Sequence, residues 1–336
     1  MIFNQASCYV VAEIGGNFSD VATGIKLVDA AADAGADAIK LQTYRSKTIT
    51  SRYAMFDMEN TNYLSQEAFF RRHELSEEAH KRLFSHASQR GLGFFSTPSH
   101  PEDVEMLERL GVPCYKIGAD DANNLPFLRY VAKTGKPVIF STGMCTIQEV
   151  RKAVETIISE GNRQIILLHT ISGYPTHPHD VNLRAMLSLK QEFPQFPVGF
   201  SDHTLGIWAS LAAATLGAAL IERHFTLDRH SDGPDHMLSS EPQELAVLVR
   251  QIRLMECMMG SDVKGPYGPE VKNRRNNRKS LVAMRAIAAG TVLTTEDIWP
   301  KRPGTGIEPK FLDMFLGRAA ARDIPEDTIL TWNDIR

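Results

Sequence analysis

Two short stretches of the chain end on imidazoles, "GFSDH" at 199–203 and "ALIERH" at 219–224. In the second, Glu222, Arg223 and His224 follow Leu220 and Ile221 with no turn residue between them. A strand made only for packing would stay apolar to its end. If the two stretches are consecutive strands, His203 and His224 stand side by side. Two neutral imidazoles presented together suit a divalent transition metal such as Mn, Fe, Co or Zn. They suit a hydrogen-bonded histidine pair equally, because no carboxylate is fixed as a third ligand. Glu222 lies two residues before His224 on the same strand face, so it reads either as a ligand or as the support of one. Arg223, between them in the alternation, faces the other way and reads as structural.

A second group of residues carries charge of the opposite kind. Lys40 and Lys116 close two other apolar runs, and Thr97 and Ser141 close two more. Two cations and two hydroxyls converging on one place make a site for a phosphorylated or carboxylated substrate. Either lysine alone would read as a surface charge, so the inference depends on the elements that bring them together.

Those elements are legible as a repeated beat. The runs "YVVAEI" (9–14), "AIKLQ" (38–42), "GFFST" (93–97), "CYKIG" (114–118), "PVIFST" (137–142), "IILLHT" (165–170), "PVGFSD" (197–202) and "ALIERH" (219–224) alternate with helix-patterned stretches. One of these, "TIQEVRKAVETIISEG" (146–161), opens on a capping Thr and closes on Gly. Strands that alternate with helices pair in parallel, and eight such units predict a (β/α)8 TIM barrel. A doubly wound open sheet is disfavoured, because "EIGGN" after the first run lacks the G-x-G-x-x-G turn. In a closed barrel every strand end lies on the C-terminal rim, where barrel enzymes carry their sites. The ends supply Glu13, Lys40, Gln42, Ser96, Thr97, Lys116, Ser141, Thr142, His169, Ser201, Asp202, His203, Glu222 and His224. They are expected to form one polar basin with three histidines and three acids.

The rest of the chain frames this barrel. The segment 43–75 is too long for a plain βα loop and reads as a lid or binding element. The barrel is expected over 1–260. Residues 261–279, Gly/Pro-rich and then basic in "KNRRNNRK" (272–279), read as a linker, its charges as solvated. Residues 280–336, with short β-runs and turns, read as a small second domain. A net charge of −3 argues against a nucleic-acid or membrane-surface partner. The longest apolar run (206–221) is shorter than the about 20 residues needed to span a bilayer. Four scattered cysteines, and no basic n-region before the first apolar stretch, lead to a cytoplasmic expectation.

With these residues in place, "VAEIGGN", "GADAIKLQTY", "FFSTP", "YKIGADDANNLP", "KPVIFSTGM", "GFSDHTLG", "ERHFTLD", "GPDHMLSSEP" and "KRPGTG" occur in that order. The chain resembles the sialic acid (N-acetylneuraminate) synthase family, with its legionaminate and pseudaminate relatives, from about residue 10 to the C-terminus. The final segment resembles that family's antifreeze-like (SAF) domain. The resemblance implies condensation of phosphoenolpyruvate with an N-acetylmannosamine-like amino-sugar aldehyde, releasing phosphate. It implies His203 and His224 as ligands of a divalent metal, Mn2+ in the first place, with Mg2+ or Co2+ as alternatives. It implies Lys40, Thr97, Lys116, Ser141 and Ser201 around phosphoenolpyruvate, and Glu13, Asp121 and Glu222 as catalytic acids. Ser172, Tyr174 and Asp235 match further substrate positions. Arg302 matches an arginine that reaches a partner subunit's barrel, which implies a domain-swapped homodimer.

The chain departs from the family pattern at three places. Phe18 follows Asn17 where a histidine is usual, Ala119 replaces a serine, and Ser172 stands where some members carry asparagine. Asp121 keeps the acid of its motif. The first two departures leave two other readings open, a relative using a different aldehyde acceptor and a non-catalytic sugar-binding or assembly paralogue. A barrel metallohydrolase would need more carboxylates at the strand ends and gives the lysines no task.

Overall fold

The computed structural model describes residues 7–56 and 65–336. Eight parallel strands, β1 (Tyr9–Glu13), β2 (Ala38–Thr43), β3 (Gly93–Pro98), β4 (Tyr115–Ile117), β5 (Val138–Ser141), β6 (Ile165–Thr170), β7 (Val198–Asp202) and β8 (Leu220–His224), pair in sequence order. β8 returns to β1, with Tyr9 opposite Leu220 and Glu13 opposite His224, so the sheet closes into a TIM barrel. Each strand lies within a residue or two of its sequence-predicted run.

Helices α1 (Val21–Asp33), α2 (Ser46–Ile49), α3 (Gln66–His73), α4 (Glu77–Gln89), α5 (Pro101–Arg109), α6 (Leu125–Ala132), α7 (Ile147–Ser159), α8 (Ala185–Glu192), α9 (Trp208–Thr215) and α10 (Pro242–Met259) accompany the strands. Local chemistry sets their starts. Asp20 accepts from the Thr23 backbone at the head of α1, and Thr146 and Glu149 form a reciprocal capping box at the head of α7. Val10, Ile39, Tyr115, Phe140, Leu167, Phe200 and Ile221 point outward into the layer shared with the helices. Val11, Phe95, Cys114, Ile139, Leu168 and Leu220 fill the barrel interior below the rim. This floor leaves the rim as the open end.

Of the long segment read as a lid, residues 57–64 lie outside the described residues. Its flanks carry α2 and α3, where Phe56, Phe69 and Phe70 pack edge to face and Phe70 meets Tyr44 at 4.9 Å between ring centroids.

Residues Ser261–Arg336 form a second compact unit. It holds α11 (Pro269–Asn277) and an antiparallel pair, β9 (Ser280–Ala283) with β10 (Ile298–Lys301). Its core is Leu281, Ala283, Ile287, Leu293, Ile298, Phe315 and Leu330 among others. The segment expected as a linker thus contains a helix, with Pro269 at the first turn where its missing N–H costs nothing. Among the described residues no helix is long and apolar enough to cross a membrane.

Candidate active site

Side-chain alternation along each strand sorts the polar strand ends into two sets. Glu13, Lys40, Gln42, Thr97, Lys116, Ser141, Ser201, Glu222 and His224 continue the inward rows above the apolar floor, and His203 follows on the same row as Ser201. The expectation of three histidines and three acids in one basin is corrected here. His169 turns outward, bonding the Val181 carbonyl at 2.8 Å and stacking on Phe200. Asp202 also turns outward. It holds the Thr204 amide and the Ser210 hydroxyl and pairs with Arg223 at 3.3 Å. Arg223 is fully buried there, donating to Ser240 and the Leu238 carbonyl, so it is structural, as expected. Ser96 bonds Thr43 on the outer face, and Thr43 bonds His80 of α4. Thr142 donates to the Leu168 carbonyl. A residue one step out of phase with its neighbour cannot share the basin with it.

The inward charges form one buried cluster. The Lys40 Nζ lies 2.5 Å from Glu13 Oε2 and 3.6 Å from Glu222 Oε1, and the Lys116 Nζ lies 3.5 Å from the same Glu222 oxygen. Ser201 donates to Glu222 at 3.2 Å, Lys40 to Thr97 at 3.1 Å, and Gln42 to Glu13 at 3.4 Å. Burial pushes Glu13 above the usual carboxylate range, with Lys40 opposing and Glu222 adding to the rise. For Glu222 burial is outweighed by Lys116 and Lys40, which hold it low. Lys40 is raised, because its two carboxylates outweigh burial, whereas burial and the charge of Lys40 lower Lys116. The Ser141 hydroxyl is buried with no protein partner. Its strand, β5, pairs with β4, which carries Lys116.

The neighbouring histidines behave differently. The His203 Nδ1 lies 2.8 Å from the Ile171 carbonyl, which can only accept, so Nδ1 carries the proton and Nε2 offers a lone pair. Burial pushes His203 down to about 4 and His224 well below the imidazole range. Their ring centroids are 5.3 Å apart, and Tyr174 stacks on His203 at 4.2 Å. The His224 Nδ1 is buried without a hydrogen bond, 3.7 Å from Asp235 Oδ2. Two adjacent neutral imidazoles, one with its tautomer fixed by a carbonyl, are a fitting pair for a divalent metal. Among the described residues no group of three or more His, Cys, Asp or Glu could hold one, so water or substrate would complete the coordination.

The remaining expected residues fall around this centre. Asp235 is pushed up to about 6 by burial, and burial with the charges of Asp235, Glu222, Asp120 and Glu13 raises Tyr174. Gly16, with φ of +77°, lets the turn after β1 pass close to Asp235: a Cβ there would sit 3.4 Å from Oδ2. A Cβ on Gly143 would meet Ser172 Oγ at 2.5 Å and the Ala119 Cβ at 3.3 Å, so Ser172 and Ala119 flank the same spot. Asp121 ends a short 3-10 turn after β4, accepts from Asn124 at 2.9 Å and is pushed up to about 6 by burial. Phe18 turns away from the basin into the core, against Leu83 and the glycine of α1, Gly24. Arg302 belongs to the second unit, exposed just after β10, its Nη1 donating to Asn277 at 3.4 Å.

Gln42, expected at the rim, occupies the inward position two residues beyond Lys40. Sequence reasoning passed over two participants. Thr170 occupies the inward position two residues beyond Leu168 and approaches His203 Nδ1 at 3.4 Å, and counting the alternation one step further finds it. Asn17, buried beside Phe225 and Ser239, gave no sequence signal.

A closed parallel barrel with this rim, followed by a small β unit, defines a class. The chain belongs to the NeuB family, whose model matches residues 27–264, and residues 278–336 match the SAF domain. It is 40% identical to the N,N'-diacetyllegionaminic acid synthase of Campylobacter jejuni, over 96% of this chain and 98% of that one. The Legionella pneumophila synthase of the same description is 38% identical over 99% and 96%. The crystal structure of N-acetylneuraminic acid (sialic acid) synthetase from Leptospira borgpetersenii, in complex with citrate, superposes with a TM-score of 0.73 at 32% identity, covering 80% of this chain and 91% of that one.

Proposed function

We propose that the protein is a nonulosonate synthase, joining phosphoenolpyruvate to an acetamido-sugar aldehyde with release of phosphate. The observation that carries this reading is the buried Glu13–Lys40–Glu222–Lys116 cluster beside two neutral imidazoles, Glu13 standing next to His224 across β1 and β8. Relatives that make legionaminic and sialic acids, matched along nearly the whole chain, support it.

Lys40 and Lys116 hold the anionic ends of phosphoenolpyruvate, and Thr97, Ser141 and Ser201 orient it. The enol C3 electron pair forms the new carbon–carbon bond, and the aldehyde oxygen takes a proton to become a hydroxyl. Positive charge develops at C2, and the buried, low-pKa Glu222 carboxylate faces it. Water then bonds to C2, the C2–phosphate oxygen bond breaks, and loss of the remaining hydroxyl proton leaves the ketone. Glu13, raised to about 7 by burial and paired with Lys40 at 2.5 Å, is placed to exchange a proton in these steps. A divalent metal held by His203 and His224, with Mn2+ the first candidate and Mg2+ or Co2+ the others, would supply Lewis-acid polarisation of the aldehyde.

The reading includes a homodimer in which Arg302 serves the partner's barrel, and a cytoplasmic location in keeping with four free cysteines. Mixing Arg302→Ala with a barrel-inactive variant should restore some turnover through heterodimers, and no rescue would count against the swap. The decisive assay is phosphate release from phosphoenolpyruvate with Mn2+ and a panel of N-acetylmannosamine and diacetamido sugars. Metal binding without phosphate release for any sugar would overturn the synthase reading in favour of a sugar-binding paralogue.

A further inference from the structure

The loop that leaves β8 runs from Phe225 to Ser240 and carries Asp235 back over His224. Its two ends are joined near the strand: Ser240 donates its amide to the His224 carbonyl at 2.8 Å, and Thr226 donates to Ser240 at 3.0 Å. The side chain that ties this loop to the rest of the rim comes from the turn after β1. The Asn17 Nδ2 donates to the Phe225 carbonyl and to Ser239 Oγ, both at 2.9 Å. Ser239 Oγ in turn donates its one proton to the Asp235 carbonyl at 2.7 Å. The amide cannot be flipped, because the Phe225 carbonyl can only accept. Asn17 is 4% exposed, so water does not replace these bonds. On the same turn Gly16 lies next to the Asp235 carboxylate, a Cβ there coming within 3.4 Å of Oδ2.

We propose that Asn17 is a positioning residue for the acceptor side of the reaction. Both amide protons of Asn17 clamp the β8 loop, and through Ser239 they fix where Asp235 stands against His224. This rests on the reading that the acceptor sugar binds at Asp235. The donor cluster is bonded within itself, through Glu13, Lys40, Thr97 and Glu222, and does not pass through Asn17.

The test compares Asn17→Asp and Ser239→Ala with the wild-type full chain. Asn17→Asp keeps the size of the side chain and presents an acceptor to the Phe225 carbonyl, so packing is retained while donation is lost. Each variant should raise KM for the acceptor at least about tenfold, the scale of one buried hydrogen bond, with Asn17→Asp, which loses two, the larger. KM for phosphoenolpyruvate should stay within twofold. The double variant should be no worse than the worse single one, because both break one chain of bonds. Equal rises in both KM values, or none in folded variants, would overturn the proposal. Hydrogen exchange gives a second readout that needs no turnover: amides of 226–239 should exchange at least tenfold faster in either variant, with the other strand ends unchanged. Unaltered exchange there overturns the clamp whatever the enzyme does. A wild-type protein that releases no phosphate, with exchange behaving as expected, would instead overturn the functional reading and leave the clamp standing.

Discussion

On the β2–β4 side of the rim Lys40 and Lys116 are buried with carboxylates within 3.6 Å, whereas on the β7–β8 side His203 and His224 are buried with their pKa values depressed. Both sides meet the same physical demand, that charge not be left bare in a low-dielectric interior. The lysine side answers with paired charges and stays ready for an anion. The histidine side answers by shedding protons and exposes lone pairs. Under the proposed function, anion recognition falls to one half of the rim and electrophile or metal recognition to the other. Substitutions should therefore separate the halves.

The largest effect is expected on the lysine side. Lys116→Met removes a cation of the proposed donor site and, among the described residues, leaves Glu222 with Lys40 as its one ammonium neighbour. Turnover in the phosphate-release assay should fall about a thousandfold, the scale for losing a charge that stabilises a transition state, with Mn2+ affinity retained. A fall of less than tenfold would remove Lys116 from the donor site.

His224→Ala is the converse. Metal affinity and turnover should be lost together, turnover by about a hundredfold, while titration with phosphoenolpyruvate alone changes little. Retained Mn2+ affinity would show the ligand assignment to be wrong and would blur the division of the rim.

Much of this division was legible in the sequence, and the reasons are specific. Glu222, Arg223 and His224 announced a rim because polar residues closed an otherwise apolar run. The period of two then correctly put Arg223 on the far face. The same rule, applied to His169 and Asp202, would have removed them from the basin. Grouping strand ends without regard to phase places them there. Residues that act through loops were the least legible. Asn17 reaches Phe225 and Ser239 across more than two hundred positions of sequence, and only closure of β8 onto β1 makes them neighbours. Phe18 looked like a substituted site residue because it sits where the family carries a polar one, yet its ring belongs to the α1–α4 layer.

The histidine side also makes a prediction about stability in metal-free protein. The folded pKa of His203, about 4, lies below the ordinary imidazole value of 6.5. Between those values the unfolded chain binds more protons than the folded one, so stability rises with pH through this window and is lost as pH falls from 6.5 towards 4. For His203 the loss by pH 4.5 should be about 2–3 kcal/mol. Denaturant melts of wild type and His203→Gln at pH 7 and 4.5 isolate it, because the difference between the proteins cancels groups that titrate in both. Equal acid sensitivity would mean that His203 is not held neutral by burial.

The smallest effect tests the boundary of the site. Phe18 is 6% exposed and packs where a Cβ on Gly24 would sit 2.8 Å from its ring and from Leu83. Phe18→His restores the residue type usual in the family but buries ring nitrogens in an apolar layer. If the ring belongs to the core, the variant should lose about 1–2 kcal/mol of stability and keep both KM values within twofold. If the turn after β1 instead presents residue 18 to the acceptor, the histidine should alter the acceptor KM or the choice among sugars. Asn17→Asp and Phe18→His, one residue apart, would then fail in the same way. The structure predicts that they fail differently, because Asn17 bonds towards the β8 loop while Phe18 packs towards α1.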